Sequence, residues 1–348
     1  MNYQVVSEES LNKAAEIILN GGLVAFPTET VYGLGANAFN PHALAKVFEV
    51  KERPFFDPLI IHIASIDTLE KAADLSLLNE EKRKKLFLLA ENLWPGPLSI
   101  ILPKNENIPG IATAGLQTAA IRFPDYETAQ KLISLSSGAI AAPSANPFGL
   151  LSPTRAEHVR QGLGEKVDLI LDGGPTRIGL ESTVLDITGE CISILRFGGT
   201  PKEIIEKLIG SVHVAAGNED VNAGLSSPGQ LKSHYAPRTP LSLLNQEAII
   251  EQPYKPGSAF LFFDASTRNE WLSKQNPPKM AVIKVLSGSA ASLEASTLEA
   301  ASCLFDNLHE LDSSNIKHIF AQSAPPKGLG EAINDRLSRA AVGSAYQS

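Results

Sequence analysis

The feature that most constrains the fold of this chain is a regular alternation of short apolar runs with amphipathic segments. Eight runs rich in Val, Ile and Leu have the length and composition of β-strands. They are LVAF, PLIIHI, LSIIL, AAIRF, AIAAP, DLILD, STVLDI and ISILRF. Helices are predicted between several of them, because Ser65, Asn79 and Thr154 are residue types that cap helices. The alternation predicts a mixed α/β domain whose last strands pair as a hairpin.

The chain is long enough for two domains. Its 348 residues exceed one ordinary hydrophobic core, and residues 216–241 have neither helical nor strand periodicity. After this segment the alternation of strands and helices resumes. We therefore predict a first domain at residues 1–216, an interdomain linker at 217–240 and a smaller α/β domain at 241–348.

The second half of this linker is unusual for a spacer. Lys232, His234, Tyr235 and Arg238 are crowded between two prolines. Charged and aromatic side chains at this density favour a functional role over that of a passive connection.

Composition and charge exclude several classes of protein. With 43% hydrophobic and 20% charged residues the chain is typical of a globular protein, and no apolar run approaches the roughly 20 residues that span a bilayer. We therefore expect no membrane insertion and a cytoplasmic protein. Cys191 and Cys303 are far apart and flanked by apolar residues, so we expect core positions and no thiolate metal cluster. A net charge of −8 means that any polyanion must bind in a local cationic pocket.

Such a pocket is predicted at KERPFFDPLIIH, residues 51–62. Two interpretations are open for Lys51 and Arg53, namely the solvated end of the preceding helix or a clamp for an anion. Prolines 54 and 58 restrict the backbone there, and holding a guanidinium in place lowers the entropy cost of binding phosphate. Charge-assisted hydrogen bonds contribute about 1.5–3 kcal/mol each, enough for two or three to hold a nucleotide.

Two more polar side chains lie within predicted strands. Arg122 falls in the apolar run AIRFP, and a buried arginine needs a carboxylate partner, either of the protein or of a ligand. His62 lies on the strand PLIIHI, where a histidine is more often a satisfied core residue than a functional one.

Three further clusters place hydroxyl, amide and guanidinium groups at the ends of predicted strands. FPTETVYGLGANA carries Thr30, APSANPFGLLSPT carries Ser144, Asn146 and Ser152, and GLESTVLDI with LRFGG carries Ser182 and Arg196. No Walker A loop, GxGxxG fingerprint or GxSxG elbow is present. Taken together, the clusters are suited to binding an anionic substrate and stabilising charge during phosphoryl or adenylyl transfer.

The residues of these motifs and their order along the chain resemble those of the threonylcarbamoyl-AMP synthase family, whose catalytic unit is a YrdC-like domain. The resemblance rests on PTETVYGLG, KxRP followed by PLIIHI, WPGPLS, AIRFP, APSAN with SPT, and GLESTV with ILR. SPGQLKSHYAPRTP and GLGEAINDRLSRAA resemble the long, two-domain form. The resemblance implies a twisted mixed sheet with a basic concave cavity, a Rossmann-like C-terminal domain, and a linker that folds over the active site.

The implied reaction joins L-threonine, bicarbonate and ATP into L-threonylcarbamoyladenylate and releases pyrophosphate. Partner proteins of such enzymes transfer the threonylcarbamoyl group to adenosine 37 of tRNAs that read ANN codons. The resemblance leaves open whether this chain itself contacts tRNA. Mg²⁺ is expected to arrive with ATP, since the sequence offers no dedicated carboxylate cage.

The resemblance also implies roles for individual residues. Lys51 and Arg53 are expected to be catalytic and to bind the phosphates of ATP. The expected threonine contacts are Thr30, His62, Arg122, Ala142 and Ser182, and the further ATP contacts are Asp57, Thr118, Ser144, Asn146, Ser152, Arg196, His234 and Tyr235. Asp57 departs from the asparagine common in the family, and its carboxylate would repel phosphate unless it helps to hold the metal.

Two rival functions remain open from the sequence. One is an RNA-binding module without catalysis, which the net acidity opposes. The other is a nucleotide phosphohydrolase, which the same phosphate pocket would support.

Overall fold

The chain forms two compact units. The structure is a computed structural model that describes residues 2–215, 235–289, 291–312 and 315–345. The N-terminal unit is drawn from the first 215 residues, and the C-terminal unit from residue 235 onward together with Gly149–Leu151 and Ile178–Leu180. The predicted linker, 217–240, falls largely outside the described residues, so its bounds stay a prediction.

The N-terminal unit is built around one large sheet flanked by helices. Its strands are β1 (Tyr3–Val5), β2 (Val24–Phe26), β3 (Gly33–Asn37), β4 (Ile60–Ile63), β5 (Leu98–Pro103), β6 (Thr118–Arg122), β7 (Ala139–Ala141), β8 (Leu169–Asp172), β9 (Thr183–Asp186), β10 (Ser193–Arg196) and β11 (His213–Val214). Its α-helices are α1 (Glu8–Leu19), α2 (Pro41–Lys51), α3 (Glu80–Leu93), α4 (Glu127–Leu135), α5 (Ala156–Gly162) and α6 (Lys202–Ile209). Short 3₁₀ helices cover Ile66–Lys71, Leu75–Leu77, Gly110–Thr113 and Gly164–Lys166.

The sheet is mixed, as the sequence predicts. Its strand order is β1-β8-β2-β3-β7-β4-β6-β5-β9-β10-β11. The sheet contains both parallel pairs, such as β4 with β6, and antiparallel pairs, such as β5 with β6, and β9 and β10 form the predicted late hairpin. The α/β fold class is confirmed.

Strand register brings polar residues from distant motifs into one row. In β4 and β6 His62 lies opposite Arg122, and in β5 and β6 Ser99 lies opposite Arg122. Paired residues project to the same face of a sheet. The neighbouring positions Ile61 and Ile121 project to the other face, where they join the main hydrophobic core with residues of α2 and α3. The alternation of each strand therefore separates a polar row from the core.

The two glycines of the motif FPTETVYGLGANA lie in a strand. Glycine at these positions would allow either a tight turn or the close approach of a ligand, but Gly33 and Gly35 both belong to β3, antiparallel to β2. A Cβ on Gly35 would lie 2.8 Å from Cε1 of Phe26 and 3.0 Å from Cγ2 of Ile140. The glycine therefore makes room for the Phe26 ring beside the strand.

The C-terminal unit is a smaller parallel α/β layer. It comprises β12 (Leu241–Leu244), α7 (Gln246–Glu251), β13 (Ser258–Asp264), α8 (Ala265–Gln275), β14 (Val282–Ser287), α9 (Leu293–Asp312), β15 (His318–Gln322) and α10 (Leu329–Ala345). The strands are all parallel in the order β12-β15-β13-β14. Phe260, Phe262 and Trp271 form an aromatic cluster in its core. The smaller second α/β unit is thus as predicted.

Local predictions succeeded where a cap was unambiguous. Asn79 caps α3 by accepting a hydrogen bond from the amide of Lys82. Ser65 precedes a 3₁₀ helix and makes no side-chain cap, and Thr154 is not a cap because α5 begins at Ala156.

The prediction that both cysteines are core residues is wrong. Cys191 is exposed and Cys303 is half-buried. Each has one polar sequence neighbour, Glu190 before Cys191 and Ser302 before Cys303, so an apolar residue on one side does not carry the thiol fully into a core. Among the described helices, none has both the length and the apolar character needed to cross a membrane.

Candidate active site

Lys51 joins two of the sequence motifs. It is the last residue of α2, and Glu52 ends the helix in the left-handed conformation with φ of 55°. The Lys51 Nζ donates to the carbonyl oxygens of Ser144 and Asn146, both at 2.5 Å. Because Lys51 is only 1% exposed, the solvated-helix-end interpretation is wrong for this residue. Burial, and secondarily Arg53, holds the pKa of Lys51 well below its usual value, while Asp57 acts in the opposite direction.

Arg53 closes the proline-bounded turn with its own guanidinium. Its Nε donates to the carbonyl of Asp57 at 3.0 Å and its Nη2 to the carbonyl of Pro58 at 2.8 Å. The guanidinium carbon also lies 6.0 Å from the ring centroid of Phe148. These contacts orient the side chain before any ligand binds, as the anion-clamp interpretation requires.

Asp57 is the counter-ion of Arg53. Its Oδ1 lies 2.8 Å from Nη2 of Arg53, although neither carboxylate oxygen accepts a hydrogen bond of normal geometry from a described residue. The residue is fully buried, and burial raises the pKa of its carboxyl against the lowering effects of Arg53, Lys51 and Arg196. The sequence predicts that the Asp57 carboxylate would repel phosphate. In the structure this repulsion is offset, because the charge of Asp57 is already paired with that of Arg53.

Arg122 has a carboxylate partner within the protein. Its Nη2 lies 2.7 Å from Oε1 of Glu29, and its Nε donates to the carbonyl of Gly96 at 3.3 Å. Both charged residues are buried, at 3% and 1% exposure. Of the two partners that the sequence left open, the structure supplies the protein carboxylate. In the sequence Glu29 is one of the polar residues of the PTET motif after β2, but the sequence assigned it neither a partner nor a role.

His62 is a buried neutral imidazole next to Arg122 in the polar row. Burial, reinforced by the charge of Arg122, lowers the pKa of His62 to about 3. Its Nδ1 lies 3.3 Å from the carbonyl of Ile60, and its ring meets that of Phe26 edge to face with centroids 6.5 Å apart. At neutral pH this residue therefore adds hydrogen-bonding capacity without adding charge.

Hydroxyl groups occupy the loop after β2. The Thr28 hydroxyl donates to the carbonyl of Val31 at 2.7 Å and lies 2.8 Å from the Thr30 hydroxyl. Since its single proton is used in this way, Thr28 accepts from Thr30, whose amide also donates to the Thr28 oxygen at 3.2 Å. The arrangement fixes Thr30, one of the predicted threonine contacts, beside Glu29.

A second hydroxyl pair connects β5 with the GLESTV motif. The hydroxyls of Ser99 and Ser182 lie 2.7 Å apart, and Nη2 of Arg196 donates to the carbonyl of Ser182 at 2.7 Å. Since Ser99 lies opposite Arg122 in the sheet, these bonds connect Ser182 and Arg196 with the polar row. Ser99 is a member of this group that sequence reasoning missed.

The remaining predicted contacts lie at strand ends and in loops. Ala142 follows β7 and donates its amide to the carbonyl of Ile60 at 2.9 Å, and Thr118 begins β6 and is half-buried. The Ser152 hydroxyl donates to the carboxylate of Glu181, which sequence reasoning also missed.

The linker residues have a different setting. His234 lies outside the described residues. Tyr235 has a φ of 61° and is 1% exposed, with its ring centroid 5.8 Å from that of Phe305 and 4.8 Å from the guanidinium carbon of Arg336. All three residues belong to the C-terminal unit. In this arrangement the Tyr235 ring is occupied by core contacts, and its expected role over ATP stays a prediction.

Comparisons with known proteins identify the family. Residues 16–198 match the Sua5, YciO and YrdC family model, whose description is telomere recombination, and residues 200–342 match the model of the threonylcarbamoyl-AMP synthase C-terminal domain. A threonylcarbamoyl-AMP synthase of Pyrococcus abyssi is 41% identical over 344 residues, covering 96% of this chain and 95% of the relative. The chain belongs to the threonylcarbamoyl-AMP synthase family.

Other members of the family support this placement. The threonylcarbamoyl-AMP synthase of Bacillus subtilis is 42% identical over 342 residues, covering 97% of this chain and 94% of the relative. The crystal structure of P. abyssi Sua5 complexed with L-threonine has a TM-score of 0.82 at 36% identity, covering 98% of this chain and 97% of that one. The structure of H234A/Y235A P. abyssi Sua5 has the same TM-score at 38% identity, covering 97% and 94%. The resemblance drawn from the motifs is confirmed.

The side chains beside Lys51 and Arg53 bear on how Mg²⁺ could be held. In the part of the chain that the structure describes, no three His, Cys, Asp or Glu side chains cluster as metal ligands. Asp57 is the carboxylate beside these cations, and it is paired with Arg53. These residues would fit a metal held mainly by ATP and water, and the expectation that Mg²⁺ arrives with ATP stays a prediction.

Proposed function

We propose that this protein is an L-threonylcarbamoyladenylate synthase, a nucleotidyltransferase that consumes L-threonine, bicarbonate and ATP. The observation that carries the proposal is the burial of four cationic side chains in the N-terminal unit, two at the ends of strands β6 and β10 and two at the end of α2 and in the turn that follows it. They are Lys51, Arg53, Arg122 and Arg196. Buried cations held by carbonyls and carboxylates are suited to receive the anionic groups of a nucleotide and of an amino acid.

The two substrates have separate sets of residues in this proposal. Lys51, Arg53 and Arg196, with the APSAN loop that Lys51 fixes, receive the phosphates of ATP. Arg122, His62 and Thr30 form the amino-acid side of the site. The P. abyssi relative forms a complex with L-threonine, which supports threonine as the amino acid.

The chemistry needs no protein nucleophile. The threonine amine combines with bicarbonate to give a carbamate and water, and a carbamate oxygen then attacks the α-phosphorus of ATP while pyrophosphate leaves. Lys51 and Arg53 offset the charge that builds up on the phosphate oxygens, and their fixed positions lower the cost of reorganisation. When bound with ATP, Mg²⁺ supplies further positive charge at the phosphates.

The product fits a role in tRNA modification. A threonylcarbamoyl adenylate is a mixed acyl phosphate anhydride, so its threonylcarbamoyl group is activated for transfer to an amine. We place the reaction in the cytoplasm, with threonylcarbamoyl-transferase proteins as downstream partners that act on adenosine 37 of ANN-decoding tRNAs.

The decisive experiment measures pyrophosphate release by the purified full chain. With MgATP, L-threonine and bicarbonate present together, we expect release together with a threonylcarbamoyl-AMP product seen by mass spectrometry. Omitting either threonine or bicarbonate is expected to stop it. Release that continues unchanged without them would instead indicate a nucleotide phosphohydrolase, and RNA binding with no turnover would indicate the binding module.

A further inference from the structure

The ion pair between Glu29 and Arg122 is buried without being fully satisfied. Apart from the 2.7 Å approach of Oε1 to Nη2 of Arg122, neither oxygen of Glu29 accepts a hydrogen bond of normal geometry from a described residue. Nη2 of Arg122 likewise donates none among the described residues. Glu29 is 1% exposed and Arg122 is 3% exposed, so bulk water does not solvate them freely.

This incomplete pairing is costly for a contact that serves stability alone. Taking two charges out of water is repaid only when further hydrogen bonds satisfy their remaining lone pairs and N–H groups. Glu29 contributes both of its carboxylate oxygens and Arg122 contributes Nη2 to this deficit. A ligand that supplies both a donor for Glu29 and an acceptor for Arg122 would remove the deficit.

An α-amino acid has this combination of groups. Its zwitterion presents an ammonium donor and a carboxylate acceptor on adjacent atoms, and the Glu29–Arg122 pair presents the complementary charges. Neighbouring groups leave this balance intact, because the low pKa of His62 keeps its imidazole neutral and Thr28 and Thr30 are uncharged. The pair therefore matches a zwitterion better than it matches a simple anion.

We propose that Glu29 is a substrate-binding residue whose carboxylate receives the α-ammonium group of L-threonine, while Arg122 receives the α-carboxylate. The inference deepens the proposed function and rests on it. Binding exchanges the incomplete pair within the protein for two charge-assisted interactions with the ligand. Glu29 thereby selects α-amino acids over α-hydroxy acids, which lack the ammonium group.

The test compares two ligands that differ only at the α-position. Binding of L-threonine and of the 2,3-dihydroxybutanoate with matching stereochemistry is measured by calorimetry on the full chain. The wild-type protein is expected to prefer threonine by about 10- to 100-fold, the range of a charged hydrogen bond. In Glu29→Gln, threonine affinity is expected to fall by about 10- to 100-fold, while affinity for the dihydroxy acid is unchanged or rises because a repulsive charge is lost.

Opposite responses of the two ligands separate binding from a structural role. If Glu29 only positions Arg122, both ligands lose affinity together, and that result overturns the proposal. A wild-type protein without preference for threonine also overturns it, whatever the variants do. Glu29→Asp keeps the charge on a shorter side chain and is expected to retain most of the preference for threonine over the dihydroxy acid. It provides a second test of the proposal if Glu29→Gln does not fold.

Two controls show whether a changed ligand preference arises from the loss of the Glu29 carboxylate. Asp172→Asn makes the same carboxylate-to-amide change at a residue that bonds to Tyr3 and the amide of Gly174, and it is expected to leave the ligand preference unchanged. ATP binding by Glu29→Gln is expected to match that of the wild type. Failure of the proposed function is seen separately, as a lack of threonine-dependent pyrophosphate release by the wild-type protein. Retained release with an unchanged ligand preference in Glu29→Gln refutes the Glu29 assignment alone.

Discussion

At the scale of single residues, two buried guanidinium groups of the site are paired with buried carboxylates. Arg53 pairs with Asp57, and Arg122 pairs with Glu29. Each pair keeps a guanidinium in place without an excess of buried charge, which would destabilise the fold. Lys51 is held by carbonyl oxygens instead, and its pKa is depressed because it is buried.

Asp57→Asn tests whether ATP binding needs the carboxylate of this residue. The amide oxygen can still accept from Arg53, which the carbonyls of residues 57 and 58 also hold. Since the substitution removes a negative charge near the proposed phosphates, we expect the KM for ATP to stay the same or to fall by up to about 3-fold. The measurement is an ATP titration of adenylate formation. Strongly weakened ATP binding would show that the carboxylate has a positive role, for example at the metal.

His62 predicts a dependence of stability on pH. Its pKa is about 3 in the fold against an ordinary value of 6.5, so the unfolded chain takes up a proton first as the pH falls. The contribution of this residue is therefore intact above pH 6.5 and is lost as the pH falls toward 3. We expect denaturant unfolding of the wild type to lose more free energy in this window than that of His62→Gln, by at most about 1.4 kcal/mol per pH unit.

The matched control for this measurement is the exposed His42. His42→Gln is expected to keep the pH dependence of the wild type. Identical slopes for the wild type and His62→Gln would contradict a depressed pKa at position 62.

At the scale of elements, the site depends on the β2–β3 hairpin. The hairpin carries Thr28, Glu29 and Thr30 in its loop, and its packing is set by the contact of Phe26 with the glycines of β3. A change that pushes β3 away from Phe26 should therefore disturb the fold and the loop together.

Gly35→Ala is the test of this packing. The new Cβ would lie 2.8 Å from Cε1 of Phe26, so we expect a loss of about 1–3 kcal/mol in the free energy of unfolding, measured by chemical denaturation. Gly110→Ala is the control, because nothing lies within 4 Å of the position that its methyl group would occupy. Adding Phe26→Leu to Gly35→Ala is expected to recover part of the loss. Equal stability of the two alanine variants would refute the packing argument.

At the scale of the whole molecule, the two compact units have different interiors. The N-terminal unit has a large mixed sheet with buried cations on its polar side, and the C-terminal unit has a four-stranded parallel sheet with an aromatic core. Tyr235 belongs to the core of the C-terminal unit, whereas its neighbour His234 lies outside the described residues. Substitution of Tyr235 is therefore expected to lower the stability of the C-terminal unit.

Single alanine variants of Tyr235 and His234 test the expected role of each residue. Tyr235→Ala removes the contacts with Phe305 and Arg336, so we expect a loss of about 3–5 kcal/mol in the stability of the C-terminal unit. His234→Ala tests the role over ATP that the family resemblance implies, and it is expected to lower the rate of adenylate formation. Unfolding is followed by Trp271 fluorescence in a Trp94→Phe background, which leaves Trp271 as the one tryptophan. Wild-type adenylate formation in His234→Ala would reduce this residue to a spacer.

The sequence by itself determined the family, the α/β class and most strands. Runs such as PLIIHI and LSIIL specify strands locally, and motif spacing carries the family resemblance. Lys51, Arg53 and Arg122 were also found from sequence, because a cation within an apolar or proline-bounded segment needs a partner. Local sequence signals did not identify strand β3. Its glycines are typical of a turn, and their place in a strand becomes clear only from the packing of Phe26 against them.

Only the tertiary structure decided which groups meet. Strand register places His62 and Ser99 on either side of Arg122, and the β2–β3 loop brings Glu29 to the same guanidinium. Nothing in the sequence near Arg122 identifies Glu29 as its partner, because the two come together through sheet order rather than through sequence spacing. The physical reason is that periodicity specifies which residues face inward, whereas the pairing of buried charges depends on long-range register.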